Sequence, residues 1–182
     1  MSMRHKYATS AIVLARSPLS EESALVTLLT GDLGLVRARA QGIRKPGAKL
    51  SAALQTLSES EVILVRGKDI WRLSGAVLKE NRFQNMSRAA RLRAARISGL
   101  ILRLVAGESA DPVLYTALND FLEDVTSRAE DEHDAAECLA ALRILRALGL
   151  DAGDEPANLS EVTANRSSII LRINRGIAAS GL

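Results

Sequence analysis

Hydrophobic and polar positions follow two different periods along this chain. Over the first 80 residues, short apolar and β-branched runs alternate with polar turns, a pattern typical of strands. One stretch, Leu50–Ser58, has its leucines at helical spacing instead. Five short strands with one short helix after the third fit a small closed or partly open barrel. The predicted strands are Thr9–Ala15, Ala24–Thr30, Leu35–Gln41, Ser60–Arg66 and Asp69–Leu78, and Gly67-Lys68 joins the last two as a short hairpin-type connection.

The third predicted strand alternates with period two, so its side chains divide between two faces. One face carries the polar residues Arg37, Arg39 and Gln41. The other carries the small apolar residues Val36, Ala38 and Ala40. This pattern predicts a strand that buries its apolar face in the barrel and exposes two arginines on the outside.

Beyond residue 80 the apolar positions recur with the helical period of 3.6 residues. Asp111 before Pro112 is typical of a helix start, and Gly149 is typical of a helix end. We therefore predict a barrel domain over residues 1–80 and an α-helical bundle domain over residues 81–182. The predicted helices lie within Met86–Val105, Ala110–Val125, Asp134–Leu150 and Ser167–Ser180, and the last has Ile170, Ile173 and Ile177 on its apolar face.

The bulk composition is that of a globular chain. Of 182 residues, 47% are hydrophobic and 25% are charged, which is near the average for folded domains. No apolar run approaches the roughly 18 residues that span a bilayer, and the first residues lack an apolar secretory region. Cys138 is the only cysteine, which excludes an intrachain disulfide. A cytoplasmic location without membrane association is the simplest interpretation.

The net charge of +3 conceals a difference between the two halves. Met1–Asn81 carries twelve Lys and Arg against seven acidic residues, which gives +5. The residues from Arg82 onward carry twelve basic and fourteen acidic side chains, which gives −2. Such an asymmetry suggests two modules with different partners, of which the first prefers a polyanion.

Residues for catalysis are sparse. His5 and His133 are the only histidines, and no glycine-rich phosphate loop is present. His133 and Glu137 are four residues apart and could share a metal, but no third or fourth ligand is evident. Cys138 lies on an apolar stripe, where a small buried hydrophobe is the ordinary interpretation. The acidic run Glu130–Asp134 is typical of a solvated helix start. We expect no enzymatic activity, no cofactor and no metal.

Basic side chains are the strongest candidates for a function. They come from the third strand, the loop that follows it, and the connection into the fifth strand, so they could follow a phosphate backbone. Trp71 could provide a stacking platform or could belong to the core. Binding is therefore expected to be mainly electrostatic and salt-sensitive. The candidate DNA-binding residues are Arg37, Arg39, Arg44, Lys45, Lys49, Arg66, Lys68 and Arg72.

The segment Ala11–Leu73 resembles the N-terminal region of the RecO family of bacterial recombination mediators. The order of motifs carries the resemblance: a strand, the bend "SPLSEES", "VTLLT", a glycine, a strand leading into "A-x-G-x-R-K", a further basic residue, and "L-Q-x-L" before an acid-led hairpin. The helical half is similar from "LILRLV" through "LRALGL" to "INRGIAASGL". The matching barrel positions are Gly34, Ala40, Gly42, Arg44, Lys45, Lys49, Leu54, Gln55 and Leu57.

This resemblance implies an OB-fold barrel followed by an α-helical domain. It implies binding of single- and double-stranded DNA and annealing of complementary strands. It also implies that the protein acts with RecR to replace single-strand-binding protein by RecA, in the cytoplasm and at the nucleoid. By position, Arg37, Arg39, Arg44, Lys45 and Lys49 would lie on the basic DNA-binding side of the barrel.

The chain departs from the family pattern at one place. Many members carry a four-cysteine zinc module after the helix that ends in "LGL", whereas residues 151–167 contain no cysteine. The chain thus resembles a short form without the zinc module.

Two other functions fit the residues. One is an RNA-binding OB-fold module in translation or RNA handling, and the other is a protein-binding adaptor built on the helical half. A basic surface that binds no polyanion is the remaining alternative.

Overall fold

The first half of the chain forms a closed five-stranded barrel in the computed structural model, which describes residues 5–42 and 49–181. The strands follow the barrel in the order β1, β2, β3, β5, β4, and every neighbouring pair is antiparallel except β3 with β5. Their ranges are β1 Lys6–Pro18, β2 Ser23–Thr30, β3 Gly34–Gln41, β4 Ser58–Val65 and β5 Trp71–Asn81. A short helix, α1 (Lys49–Ala53), lies between β3 and β4. The predicted fold class, an OB-type barrel followed by helices, is confirmed.

Small and aliphatic side chains fill the barrel, as the period-two pattern of β3 predicts. Val36, Ala38 and Ala40 are fully buried, whereas Arg37 and Arg39 are exposed. A closed barrel this small has room for side chains only, which explains the preference for small residues on β3. The core contains Ala11, Val13, Ala24, Val26, Leu28, Val36, Ala38, Ala40, Leu54, Val62, Leu64 and Trp71.

The connection between β4 and β5 differs from the predicted two-residue hairpin. Val65 pairs with Arg72, so residues 66–70 form a five-residue loop rather than Gly67-Lys68 alone. The loop folds tightly on itself, because a Cβ added at Gly67 would lie 2.1 Å from the carbonyl oxygen of Ile70. The β-branched Ile70 therefore belongs to the loop, and the strand begins at Trp71, whose ring enters the core.

The rest of the described chain is mainly helical. Contacts divide the molecule into two units, of which the first combines the barrel up to Asn85 with Gly107–Pro112. The second combines Met86–Ala106 with the residues from Val113 onward. The domain boundary predicted between residues 80 and 81 stays a prediction. The helices are α2 Arg82–Asn85, α3 Arg88–Leu104, α4 Pro112–Ser127, α5 His133–Ala147, α6 Leu159–Ala164 and α7 Arg166–Ala179, with a short 3-10 turn at Glu130–Glu132.

The predicted apolar stripes of α3, α4 and α5 are buried except at Leu104, which is only half-buried at the end of α3, and α5 ends where Gly149 takes a positive φ of 70°. The apolar face predicted for α7 is less buried than its helical spacing of isoleucines indicates. Ile169 is the buried isoleucine, while Ile170 and Ile173 pack against the core of α5 and α6 and stay partly exposed. No helix in the described part of the chain is long and apolar enough to cross a membrane.

Candidate nucleic-acid interface

A tight turn sets the start of β3 and therefore the face on which its arginines emerge. Gly34 has a φ of 73°, which glycine adopts without steric cost. The Thr30 hydroxyl donates to the Gly34 carbonyl at 2.8 Å and accepts from the Leu33 N–H at 3.0 Å. These bonds fix the β2–β3 register, which runs from Thr30 opposite Gly34 to Ser23 opposite Gln41. The side-chain alternation of β3 follows from that register.

Three of the predicted arginines come together on the outside of the barrel. Arg37 and Arg39 are separated by about 6.6 Å along β3, the rise of two strand residues. Arg39 lies in register with Arg72 of β5 in the parallel pair, so their backbones are about 4.8 Å apart. All three side chains are exposed. We call the surface formed by Arg37, Arg39 and Arg72 the basic face.

Within residues 5–42 and 49–181, no carboxylate forms an ion pair with any arginine of the basic face. Residues that lie opposite each other on neighbouring strands interact directly, and like charges in that position destabilise the sheet. The Arg39–Arg72 pair is such a position. An anion between the two guanidinium groups would turn this repulsion into attraction, and a phosphate can bind each group in a fork.

Arg66 has a different environment from the basic face. Its guanidinium lies 3.0 Å from a carboxylate oxygen of Glu108 and 5.0 Å from the centre of the Trp71 ring. The other oxygen of Glu108 accepts a hydrogen bond of 2.7 Å from the Trp71 indole N–H. Arg66 is thus already paired with an anion in this structure.

Trp71 belongs to the core of the barrel. Its side chain is 3% exposed, and it meets Tyr7 edge to face with ring centres 5.3 Å apart. A ring buried to this degree offers no free surface for stacking with a base. Of the two interpretations open from the sequence, the core position is the one observed.

Of the other four predicted residues, only Lys68 has a side chain that the structure describes. Lys68 is exposed in the β4–β5 loop. Arg44 and Lys45 lie outside the described residues. Lys49 is the first residue of α1, and its side chain also lies outside what is described.

An open cleft of about 620 Å³ adjoins Arg39, and no pattern in the sequence indicates it. The turn between β1 and β2 forms one wall and carries the exposed acids Glu21 and Glu22. The Gly42 N–H donates to the Glu22 carbonyl at 2.8 Å and so holds the turn beside the end of β3. Because these carboxylates repel phosphate, a bound backbone is expected to cross Arg37, Arg39 and Arg72 without continuing past Arg39 toward the β1–β2 turn.

The residues considered for metal binding have other partners. The carboxylate of Glu137 accepts from Arg96 at 2.5 Å and 2.7 Å and from Arg93 at 2.5 Å. The His133 ring nitrogen Nε2 lies 3.1 Å from the Arg128 carbonyl. Burial raises the pKa of the Cys138 thiol, which favours the protonated, unreactive form. In the part of the chain that is described, no group of three metal-ligating side chains is found.

The barrel topology defines the class of OB-type folds. Comparison with known proteins gives the family. The model described as "Recombination protein O N terminal" matches residues 1–82. These residues are similar to that family, and the chain resembles proteins named DNA repair protein RecO.

Several curated relatives carry the name DNA repair protein RecO. The protein from Dehalococcoides mccartyi is 32% identical over 134 residues, which cover 72% of this chain and 53% of the relative. The protein from Synechococcus elongatus is 33% identical over 117 residues, 64% of this chain and 44% of the relative. The protein from Heliobacterium modesticaldum is 30% identical over 170 residues, 85% of this chain and 58% of the relative. The chain thus spans about half the length of the curated relatives that it matches.

Proposed function

We propose that this chain is a DNA repair and recombination mediator that binds DNA through its basic face and catalyses no reaction. The observation that carries the proposal is the convergence of Arg37, Arg39 and Arg72 on one exposed side of an OB-type barrel. No acidic side chain in the described ranges neutralises these charges. The kinship of the barrel with recombination protein O makes DNA the favoured polyanion.

Annealing is an activity that such a surface can perform without a reactive group. Two complementary strands repel each other through their phosphates, and arginines that neutralise some of these phosphates lower the repulsion. Both single- and double-stranded DNA offer the same phosphate backbone to the basic face. Sequence selectivity is expected to be weak, because phosphate contacts carry no base information.

The relationship to RecO also supports a proposal about partners. The chain would act with RecR to load RecA onto strands covered by single-strand-binding protein, at the nucleoid in the cytoplasm. Purified RecR and single-strand-binding protein should each be retained by the immobilised chain. Retention of ribosomal components alone would instead favour the RNA-binding alternative.

The main experiment measures binding and annealing of labelled oligonucleotides by the wild type and by two triple variants. The first variant carries Arg37→Glu, Arg39→Glu and Arg72→Glu. The control reverses three exposed arginines of the helical unit with the same change in net charge: Arg88→Glu, Arg103→Glu and Arg175→Glu. We expect loss of binding and annealing for the first variant and near wild-type activity for the control.

Two results would contradict the proposal. If both variants lose affinity equally, the total charge and not the basic face determines binding. If the wild type binds structured RNA more tightly than single-stranded DNA of equal length, the polyanion is RNA. Circular dichroism spectra of all three proteins should be recorded first, so that a loss of fold is not mistaken for a loss of binding.

A further inference from the structure

Glu108 lies in a segment that returns from the helices to the barrel. This segment, Gly107–Pro112, belongs to the same unit as the barrel, and we call it the strap. Its backbone passes close to the β2–β3 turn, because a Cβ added at Gly34 would lie 2.1 Å from the carbonyl oxygen of Ser109. The strap is therefore held at Gly34 and, through Glu108, at the start of β5.

The carboxylate of Glu108 is bound on both of its oxygens. One oxygen accepts from the Trp71 indole N–H at 2.7 Å, and the other lies 3.0 Å from the Arg66 guanidinium. Arg66 in turn lies 5.0 Å from the centre of the Trp71 ring. A cation beside an aromatic ring and an indole N–H donor together form a small site. This site can bind two oxygens of one carboxylate or phosphate.

This site lies at the end of the barrel, next to the basic face. Arg66 follows Val65, which pairs with Arg72, and Arg72 lies in register with Arg39. Arg66 is thus one residue beyond the position opposite Arg72, and its side chain lies on the Trp71 side of the ladder. The resident carboxylate has the same charge sign and the same kind of oxygen acceptors as a phosphate of a bound strand.

We propose that Arg66 and Trp71 form an anion site that Glu108 occupies in the free protein and for which a DNA phosphate competes. The proposal rests on the proposed function, because it extends the basic face by one phosphate position. The exchange is feasible, since the side chains of Arg66 and Glu108 are 64% and 37% exposed and exposed ion pairs are weak. Glu108 thus lowers the affinity for DNA. A phosphate contacts Arg66 only when it displaces the Glu108 carboxylate.

Glu108→Gln tests the proposal, because it removes the competing charge and retains an oxygen that can accept from Trp71. We expect this variant to bind single-stranded DNA about fivefold more tightly than the wild type at low salt. Its salt dependence should steepen by about 0.7 log units of affinity per log unit of salt, the value for one additional single-strand phosphate contact. Glu130→Gln is the matched control, since it changes the net charge equally at an exposed position in the helical unit.

Arg66→Gln in both backgrounds isolates the site itself. In the wild type the substitution removes a cation that is already paired, so the loss of affinity should be small. In the Glu108→Gln background, Arg66→Gln should abolish the whole increase in affinity for single-stranded DNA. The emission of Trp71, the only tryptophan in the chain, should also change when DNA displaces Glu108 in the wild type.

The outcomes separate this proposal from the proposed function. Equal affinities for Glu108→Gln and Glu130→Gln, with wild-type binding intact, would mean that Glu108 has a structural role only, and this proposal alone would fail. If the wild type binds no oligonucleotide at low salt, both proposals fail. Thermal melts of the four variants check that each one is folded.

Discussion

Arg39 and Arg72 lie side by side on neighbouring strands of the barrel, in register and both exposed. They come from β3 and β5, which are far apart along the chain and adjacent only because the barrel closes. A protein gains no stability from two guanidinium groups in this position. The arrangement is instead suited to an anion that both groups can bind.

Removing one of these charges should have opposite effects on stability and on binding. We expect Arg72→Gln to raise the free energy of unfolding slightly, by about 0.2–1 kcal/mol, because the repulsion from Arg39 disappears. The same variant should bind single-stranded DNA less tightly. Urea unfolding and fluorescence anisotropy measure the two quantities.

Arg175→Gln is the control, since it removes an exposed arginine of α7. It should change neither quantity appreciably. An Arg72→Gln variant that is both less stable and weaker in binding would indicate that Arg72 has a structural role.

The salt dependence of binding should report how many arginines of the basic face touch phosphate. Each single-strand phosphate contact contributes about 0.7 to the slope of log affinity against log salt concentration. If Arg37, Arg39 and Arg72 each contact one phosphate, neutralising all three with glutamine should reduce the slope by roughly 2. Anisotropy titrations at several salt concentrations give the slope. An unchanged slope would contradict the assignment even if the affinity fell.

Gly34 should be among the positions of the barrel least tolerant of substitution. Gly34→Ala forces a Cβ into a left-handed backbone conformation, which costs about 1–2 kcal/mol, and brings it against the strap at Ser109. We expect a total loss of stability of at least about 2 kcal/mol in urea unfolding. Gly42→Ala is a useful comparison, because Gly42 also has a positive φ, of 71°, but open space around it. Equal losses for the two variants would show that the strap does not pack on Gly34.

Acid should weaken the helical unit through Asp151. The Arg172 guanidinium donates to both oxygens of this carboxylate, at 2.6 Å and 3.1 Å, and holds the pKa of Asp151 below its usual value. A carboxyl whose pKa is lowered in the folded state stabilises the protein fully above its unfolded pKa of about 3.9. This stabilisation is lost as the pH falls through the lower, folded pKa.

Asp151→Asn should therefore destabilise the protein at pH near 7, by about 1–2 kcal/mol, and by a smaller amount at pH near 3. Urea unfolding at the two pH values measures this difference. Asp131→Asn, at an exposed position, should cost little at either pH. A loss for Asp151→Asn that is the same at both pH values would exclude the ionic origin.

The features that could be predicted from the sequence are the local ones. Period two in β3 is enough to expose Arg37 and Arg39 and to bury the alanine between them, because the side-chain alternation of a strand is intrinsic. The helices and most of their buried faces follow from the 3.6-residue period in the same way. The glycine at position 149 marks a helix end because few other residues take a positive φ.

The features that could not be predicted depend on contacts between distant segments. Nothing near Arg72 in the sequence indicates that it meets Arg39, since that pairing follows from the closure of the barrel. Glu108 pairs with Arg66 through a segment that follows α3, so the sequence suggests a free cation at position 66. On α7 the period cannot distinguish Ile169 from Ile170, because the packing of α5 and α6 decides which of the two is buried.

The parallel closure between β3 and β5 consists of only two residue pairs, Ala38 with Trp71 and Arg39 with Arg72. Such a short seam is the place where the barrel can open with the least loss of backbone pairing. One of these two pairs consists of arginines. A DNA strand bound to both Arg39 and Arg72 would therefore hold β3 and β5 together. DNA should then slow hydrogen exchange at the amides of these residues more than elsewhere in the barrel. The bound ligand would thus stabilise the closed form of the barrel.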